Sequence, residues 1–176
     1  MAETGKKQPF KSLLEEHAPE HLKAIGLIAV EATLLETSLG TLLAAVIDAP
    51  EYFGQIVYLT PKSAIARLDT LENVVEWLLV KDSTGAKKLE GVAKRTRAIL
   101  GKRHKVVHGC WGITNGKVSV YSLPQKEDDK PEPYTVEQLM RIVSDIRDLV
   151  AEMVEIIREL RTYHRAVRES GTPRGW

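Results

Sequence analysis

The sequence predicts an all-α protein: an antiparallel bundle of four to five helices, with a small β-hairpin inserted before a long last helix. Three observations carry this. Apolar residues recur in steps of three and four along most of the 176 residues, which is the helical period. The chain is 43% hydrophobic but only 6% aromatic, so its core is built from Leu, Ile, Val and Ala. The one stretch that alternates in strand fashion is short and centres on Asn115-Gly116, a strong turn signal.

Each element has its own justification. From Pro19 to about Ala49, Ile25, Ile28, Ala32, Leu35, Leu39, Leu42 and Val46 line one helix face, with Glu31 and Glu36 on its flanks. Asp48-Ala49-Pro50 ends that helix, and Glu51 to Leu59 reads as two further turns. Thr60-Pro61 reads as an N-cap followed by Pro at the first helical position. The helix it opens carries Ile65, Leu68, Leu71, Val75 and Leu78 and ends near Lys81 to Gly85. A third long helix runs from Ala86 to His108, closed by Gly109. The hairpin follows over Trp111 to Tyr121, and the polar stretch from Pro124 to Pro133 reads as a loop. Thr135 with Gln138 forms a capping box for the last helix. Its seam is Leu139, Val143, Ile146, Val150, Met153, Ile157 and Leu160, widened by Ile142, Leu149, Val154 and Ile156. A face that broad packs into a bundle and also offers surface to a second subunit.

The length suits a single domain over 1–176, with about 1–17 and 170–176 expected to be flexible. A charged fraction of 28% beside the apolar content excludes a disordered chain. The single cysteine, Cys110, excludes an internal disulfide and fits a reducing compartment. The N-terminus lacks a secretory h-region, and the apolar run Ile25 to Leu35 is interrupted by Glu31 and too short to cross a membrane. A cytoplasmic protein with no membrane partner is the expectation.

A net charge of +1 conceals a sharp asymmetry. Between Lys87 and Lys105 stand eight basic residues and one acid, Glu90, a charge of +7 that leaves −6 for the rest. Such a segment is either a phosphate-binding surface, with Lys94, Arg97, Lys102 and Lys105 on the phosphates, or a solvated face paired with acidic neighbours. Its apolar stripe runs Leu89, Val92, Thr96, Ile99, Arg103, Val106, so Arg103 stands where a core residue belongs. A guanidinium there must be paired, for instance with Glu31 or Glu36, or must face a cleft. His104 and His108 share a face but lack the acid and third ligand of a metal site, and no metal or cofactor is expected. Arg103 and His108, five apart, are about 140° of rotation separated on an ideal helix. Their convergence needs the helix to end or distort there, or a two-fold partner. Trp111 reads as a large core residue under the hairpin in preference to a base-stacking platform.

With Arg103, polar His104 after it and His108 four residues further, followed by Gly109-Cys110-Trp111, an extended segment and a long helix, the chain resembles the HEPN superfamily. These are small helical domains named for higher eukaryotes and prokaryotes nucleotide-binding. The resemblance implies a bundle that dimerises with the Arg and His of both chains facing a shared cleft. It also implies a metal-independent endoribonuclease, often a toxin or antiviral effector with a protein antitoxin, or else a binding or scaffolding module. In the catalytic reading His108 is acid or base, Arg103 clamps the non-bridging phosphate oxygens, His104 positions the phosphate or shares the proton work, and Lys102 and Lys105 hold flanking phosphates. In the competing reading the protein is a non-catalytic interaction module. Arg103 is then an interfacial ion pair, and the last helix docks a partner.

Overall fold

The computed structural model describes residues 13–78, 83–121 and 130–171. Six helices and a three-stranded antiparallel sheet make up these residues: α1 (Leu13–His17), α2 (Pro19–Val46), α3 (Glu51–Leu59), α4 (Ala64–Leu78), α5 (Thr84–His108), β1 (Cys110–Thr114), β2 (Lys117–Tyr121), β3 (Glu132–Pro133) and α6 (Val136–Ser170). The fold is all-α with a small sheet inserted before the last helix.

The core is the aliphatic interior that the periodicity predicts. Ile28, Ala32, Leu35, Leu39, Leu42 and Val46 of α2 are buried, as are Leu139, Val143, Ile146, Met153, Ile157 and Leu160 of α6. At about 25 cal/mol per Å2 of apolar surface, this interior is the main force holding the bundle together. Glu31 pairs with Arg147, and Arg168 with Asp48, at similar offsets along the chain, so α2 and α6 run side by side in the same direction. The helix α2 is long and apolar enough, by length and composition, to cross a membrane, which the shorter Ile25 to Leu35 run did not suggest. Here it serves as the central core helix, with Glu31 and Glu36 paired to Arg147 and Arg67 of neighbouring helices and Glu20 of its first turn beside Lys23.

Several boundaries differ from the sequence reading. Residues 13–17, expected to be flexible, form α1, whose Leu14 is buried. The helix α4 starts at Ala64, not at Pro61. Ser63 Oγ accepts from the Ala66 amide at 3.1 Å and takes the capping role assigned to Thr60. Thr84 and Gly85 belong to the start of α5, where Ser83 accepts from the Ala86 amide. The last helix continues five residues beyond Arg165, to 35 residues or about 52 Å. Its Thr135–Gln138 capping box is present.

Asn115 and Gly116 both have positive φ, 52° and 72°, as a type I′ turn requires. The sheet exceeds a hairpin because Ser119 and Val120 pair with Pro133 and Glu132. A proline fits such a two-residue edge strand because its missing N–H faces away from the ladder. Residues 1–12 and 172–176 and positions 124–129 of the expected loop lie outside the described residues. Gly109 is extended (φ −73°, ψ 158°), so it does not close α5 through a left-handed turn. Its need for glycine is one of space: a Cβ there would lie 2.3 Å from Val120 Cγ2 and 2.5 Å from the Lys105 carbonyl. This tight passage seats the end of α5 directly on β2.

Candidate functional site

The asymmetric charge of α5 resolves into two parts. Lys88 pairs with Glu159, Arg95 with Glu152 and Lys102 with Asp145, at 2.6, 2.6 and 3.5 Å. Bases and acids are both spaced by seven residues, and each rise on α5 is a descent on α6, the register of two antiparallel helices meeting along one seam. On the other flank Arg97 reaches Asp69 and Glu72 of α4 at 2.8 and 2.5 Å. Lys105 pairs with Glu132 of β3. Most of the +7 segment is thus matched by acids of neighbouring elements. Lys87 and Lys94 have no ion pair among the described residues, and neither does Arg103.

Arg103 occupies the stripe position that the periodicity gives it. Leu89, Val92, Thr96, Ile99 and Val106 on the same stripe are buried, and Arg103 is half-buried. The expected acid partners are engaged elsewhere, Glu31 with Arg147 and Glu36 with Arg67. Arg103 Nη1 instead donates to His108 Nε2 at 3.0 Å. The pair forms within one chain and an unbroken helix. His108 is the last residue of α5, so the helix ends there as one of the expected routes to convergence requires, and the long arginine side chain spans the 140° separation without a distortion or a second protomer. An accepting Nε2 places the imidazole proton on Nδ1. The Arg103 Nε is buried without a partner, one of three such side-chain atoms among the described residues, with Tyr58 Oη and Thr96 Oγ1. A buried, unsatisfied guanidinium nitrogen costs stability. The remaining guanidinium hydrogens stay free for an incoming acceptor.

His104 lies beside the pair, its ring centroid 5.1 Å from that of His108 and tilted by 52°. His104 and His108 are both exposed. No group of three metal-ligating side chains occurs among the described residues. Two of the other three histidines are spent on structure: His21 Nε2 meets the Tyr134 carbonyl at 3.0 Å and His164 Nε2 the Ala45 carbonyl at 2.9 Å, while His17 is exposed on α1.

The end of α5 is held by Trp111 of the hairpin and by Glu132 and Tyr134 ahead of α6. Trp111 Nε1 donates to the Val106 carbonyl at 2.8 Å, which satisfies one of the last free carbonyls of the helix. Its ring meets Tyr134 edge-on at 5.8 Å, the packing role expected of it. Lys105 and the Tyr134 hydroxyl both hold Glu132, and Lys105, the larger cause, draws that carboxyl below its usual range. Burial first, then Glu132, pushes the Tyr134 hydroxyl up to about 12. Glu132 sits in, and Tyr134 directly follows, the stretch from Pro124 to Pro133 whose polar, proline-bearing composition signals a loop. Only their position just before the Thr135 capping box hinted that they were anchored.

The class that fold and site define is a small all-α bundle whose basic fifth helix ends in a pair formed by a half-buried arginine and an exposed histidine, braced by a small sheet. No protein-family model, no curated protein and no solved structure matches the chain.

Proposed function

We propose that the chain is a HEPN-like protein that binds RNA at the C-terminal end of α5 and cleaves it without a metal. The observation that carries this reading is the 3.0 Å Arg103–His108 pair with no carboxylate on the arginine. A structural guanidinium ordinarily takes an acid; one that is half-buried and held only by a neutral imidazole is pre-set for an anion. When a phosphodiester arrives, Arg103 turns onto its non-bridging oxygens and frees His108 Nε2. That nitrogen then takes the proton of the adjacent 2′-OH, whose oxygen bonds to phosphorus as the bond to the 5′-oxygen breaks. His104 delivers a proton to the leaving oxygen, so the products are a 2′,3′-cyclic phosphate and a 5′-hydroxyl. Lys94 holds a flanking phosphate directly, and Arg97, Lys102 and Lys105 do so by exchanging their carboxylates, which are exposed and weakly held. Such an enzyme suits a cytoplasmic toxin or antiviral effector controlled by a protein antitoxin.

Labelled mixed RNA incubated with the protein in EDTA tests this. The wild type leaves cyclic-phosphate ends, while His108→Ala and Arg103→Ala do not. Equal cleavage by wild type and both variants refutes the assignment. One observation favours the second reading, a non-catalytic interaction module: Arg97, Lys102 and Lys105 already have acid partners within the chain. Absence of cleavage together with unchanged RNA binding in Arg103→Ala selects it.

A further inference from the structure

A cleft of about 420 Å3 runs between α2 and α6, within the size range of small-molecule sites. The α6 side chains that line it, Val154, Ile157, Arg158, Arg161 and Arg165 among them, lie on the opposite side of that helix from Asp145, Glu152 and Glu159, which meet α5. Thr41 of α2 forms the facing wall and is held by α3: its Oγ1 donates to Glu51 Oε1 at 3.1 Å and accepts from Gln55 Nε2 at 3.2 Å.

The cleft is polarised along its length. At one end Ile157 makes a recessed floor, 7% exposed, and Val154 a rim, 46% exposed. Leu34, 48% exposed, stands on the same line of α2 as Thr41, seven residues before it. Because α2 and α6 run in the same direction, Leu34 continues this apolar end. At the other end stand Arg158, Arg161 and Arg165, spaced by three and four residues along one line of α6. Glu155 holds Arg158 at 2.6 Å and Glu51 holds Arg161 at 3.5 Å, in pairs so exposed that they yield to an incoming anion at little cost. Arg165 has no ion pair among the described residues. Both helices end more than a turn beyond Thr41 and Arg165, so their unfavourable C-terminal dipoles have faded there. From Val154 to Arg165, α6 rises about 16 Å, roughly the extent of a medium-length alkyl chain with its head group.

We propose that this cleft binds one single-chain amphiphile with an anionic head, a fatty carboxylate dispersed in water. The alkyl chain lies on Ile157, Val154 and Leu34, and the head takes two parallel hydrogen bonds from Arg165, with Arg161 beside it. The chemistry of the lining selects this class. An inorganic anion makes no use of the apolar end, and a neutral hydrocarbon makes none of the arginines. A nucleic acid rewards a row of free cations, and of these three arginines only Arg165 is without an acid among the described residues. A bilayer surface meets protruding side chains and does not reach a floor as recessed as Ile157. The site shares no residue with the arginine–histidine pair, and it stands whether or not the chain cleaves RNA.

Calorimetric titration of the full chain with decanoate, at concentrations where decanoate is monomeric, tests the proposal. One decanoate binds per chain, and 1-decanol binds about tenfold more weakly, the weight of a charge-assisted contact. Arg165→Gln weakens decanoate about tenfold and leaves decanol unchanged. Val154→Asp, at an exposed site, weakens both by about tenfold with unchanged circular dichroism. Arg95→Gln, the same loss of charge on the α5 seam, binds decanoate as the wild type does. Absence of saturable binding overturns the proposal, as does decanol binding as tightly as decanoate. Equal weakening by Arg165→Gln and Arg95→Gln, or a Val154→Asp variant that binds as the wild type does, overturns it too. Displacement of decanoate by equimolar inorganic phosphate reduces the cleft to an anion site and refutes it. Binding to anionic phospholipid vesicles with none to decanoate assigns the surface to a membrane instead.

Discussion

Along the α6-facing side of α5, Lys88, Arg95 and Lys102 each meet a carboxylate, whereas Arg103, one residue later, meets only His108. The difference is one of rotation. A step of one residue turns the side chain by about 100°, from the seam between two helices onto the stripe that faces the core. On the seam, water shares the work of solvating each base, and the acids add less than about 1 kcal/mol per pair. On the stripe, solvent is partly withdrawn, no acid replaces it, and Arg103 Nε is left unsatisfied. The same kind of residue is therefore neutral to stability in one place and costly to it in the other. A costly cation directed at a histidine is the kind of local conflict that marks sites of function.

The largest effect that can break this comparison is on catalysis. His108→Ala and Arg103→Ala are expected to lower RNA cleavage by about a hundredfold or more, the usual weight of a proton-transfer group or a charge-stabilising donor. Arg95→Gln on the ladder should stay within about twofold. Rates measured on one labelled RNA in EDTA decide this. An equal loss in Arg95→Gln means that the whole helix is a binding surface and that the two regions do not differ.

How far each region could be read from the sequence follows the same physics. Heptad-spaced apolar and charged residues are local patterns, so α2, α5, α6, the Asn115-Gly116 turn and the stripe position of Arg103 were all legible. The acid partners were not. Glu31 and Glu36 flank the core helix as expected, yet their partners, Arg147 and Arg67, are set by how α6 and α4 lie against α2, which no local pattern reports. The arginine–histidine contact was missed for another reason: helical geometry places backbones, and the reach of a long flexible side chain can cancel 140° of it. The strand at Glu132–Pro133 escaped because its pairing partner is twelve or more residues away and its composition is that of a loop.

Next in size are three effects on stability. Gly109→Ala forces a Cβ against Val120 and the Lys105 carbonyl and should cost about 2–4 kcal/mol in urea unfolding, with the end of α5 displaced. Arg67→Met strands Glu36, whose side chain is 19% exposed, and should cost about 2 kcal/mol. Arg103→Met runs the other way: it removes an unsatisfied buried nitrogen and should leave stability unchanged or raise it by about 1 kcal/mol while abolishing cleavage. A Met variant that is destabilised by as much as the Arg67 variant would show that Arg103 is structural, and the contrast with the ladder would vanish.

The smallest effect sharpens the comparison most finely, because it concerns a base at the same end of α5 as Arg103. Lys105 is three residues from His108 and yet holds a carboxylate, that of Glu132, which it draws below the usual carboxylate range, with help from Tyr134. A carboxyl whose folded value is depressed stabilises the fold at pH above its unfolded value, and the contribution disappears as pH falls through the folded value. With a side chain 46% exposed, Glu132 is screened, so the contribution is small. Urea midpoints of wild type and Glu132→Gln should therefore differ slightly at neutral pH and converge as the pH falls below the ordinary carboxylate range. A gap that persists in acid would mean that β3 is held by its strand pairing alone. Convergence would show Lys105 behaving as Lys88, Arg95 and Lys102 do. What separates Arg103 from its neighbours is then neither the end of the helix nor the basic run around it, but the turn of about 100° that takes it off the seam and away from every acid.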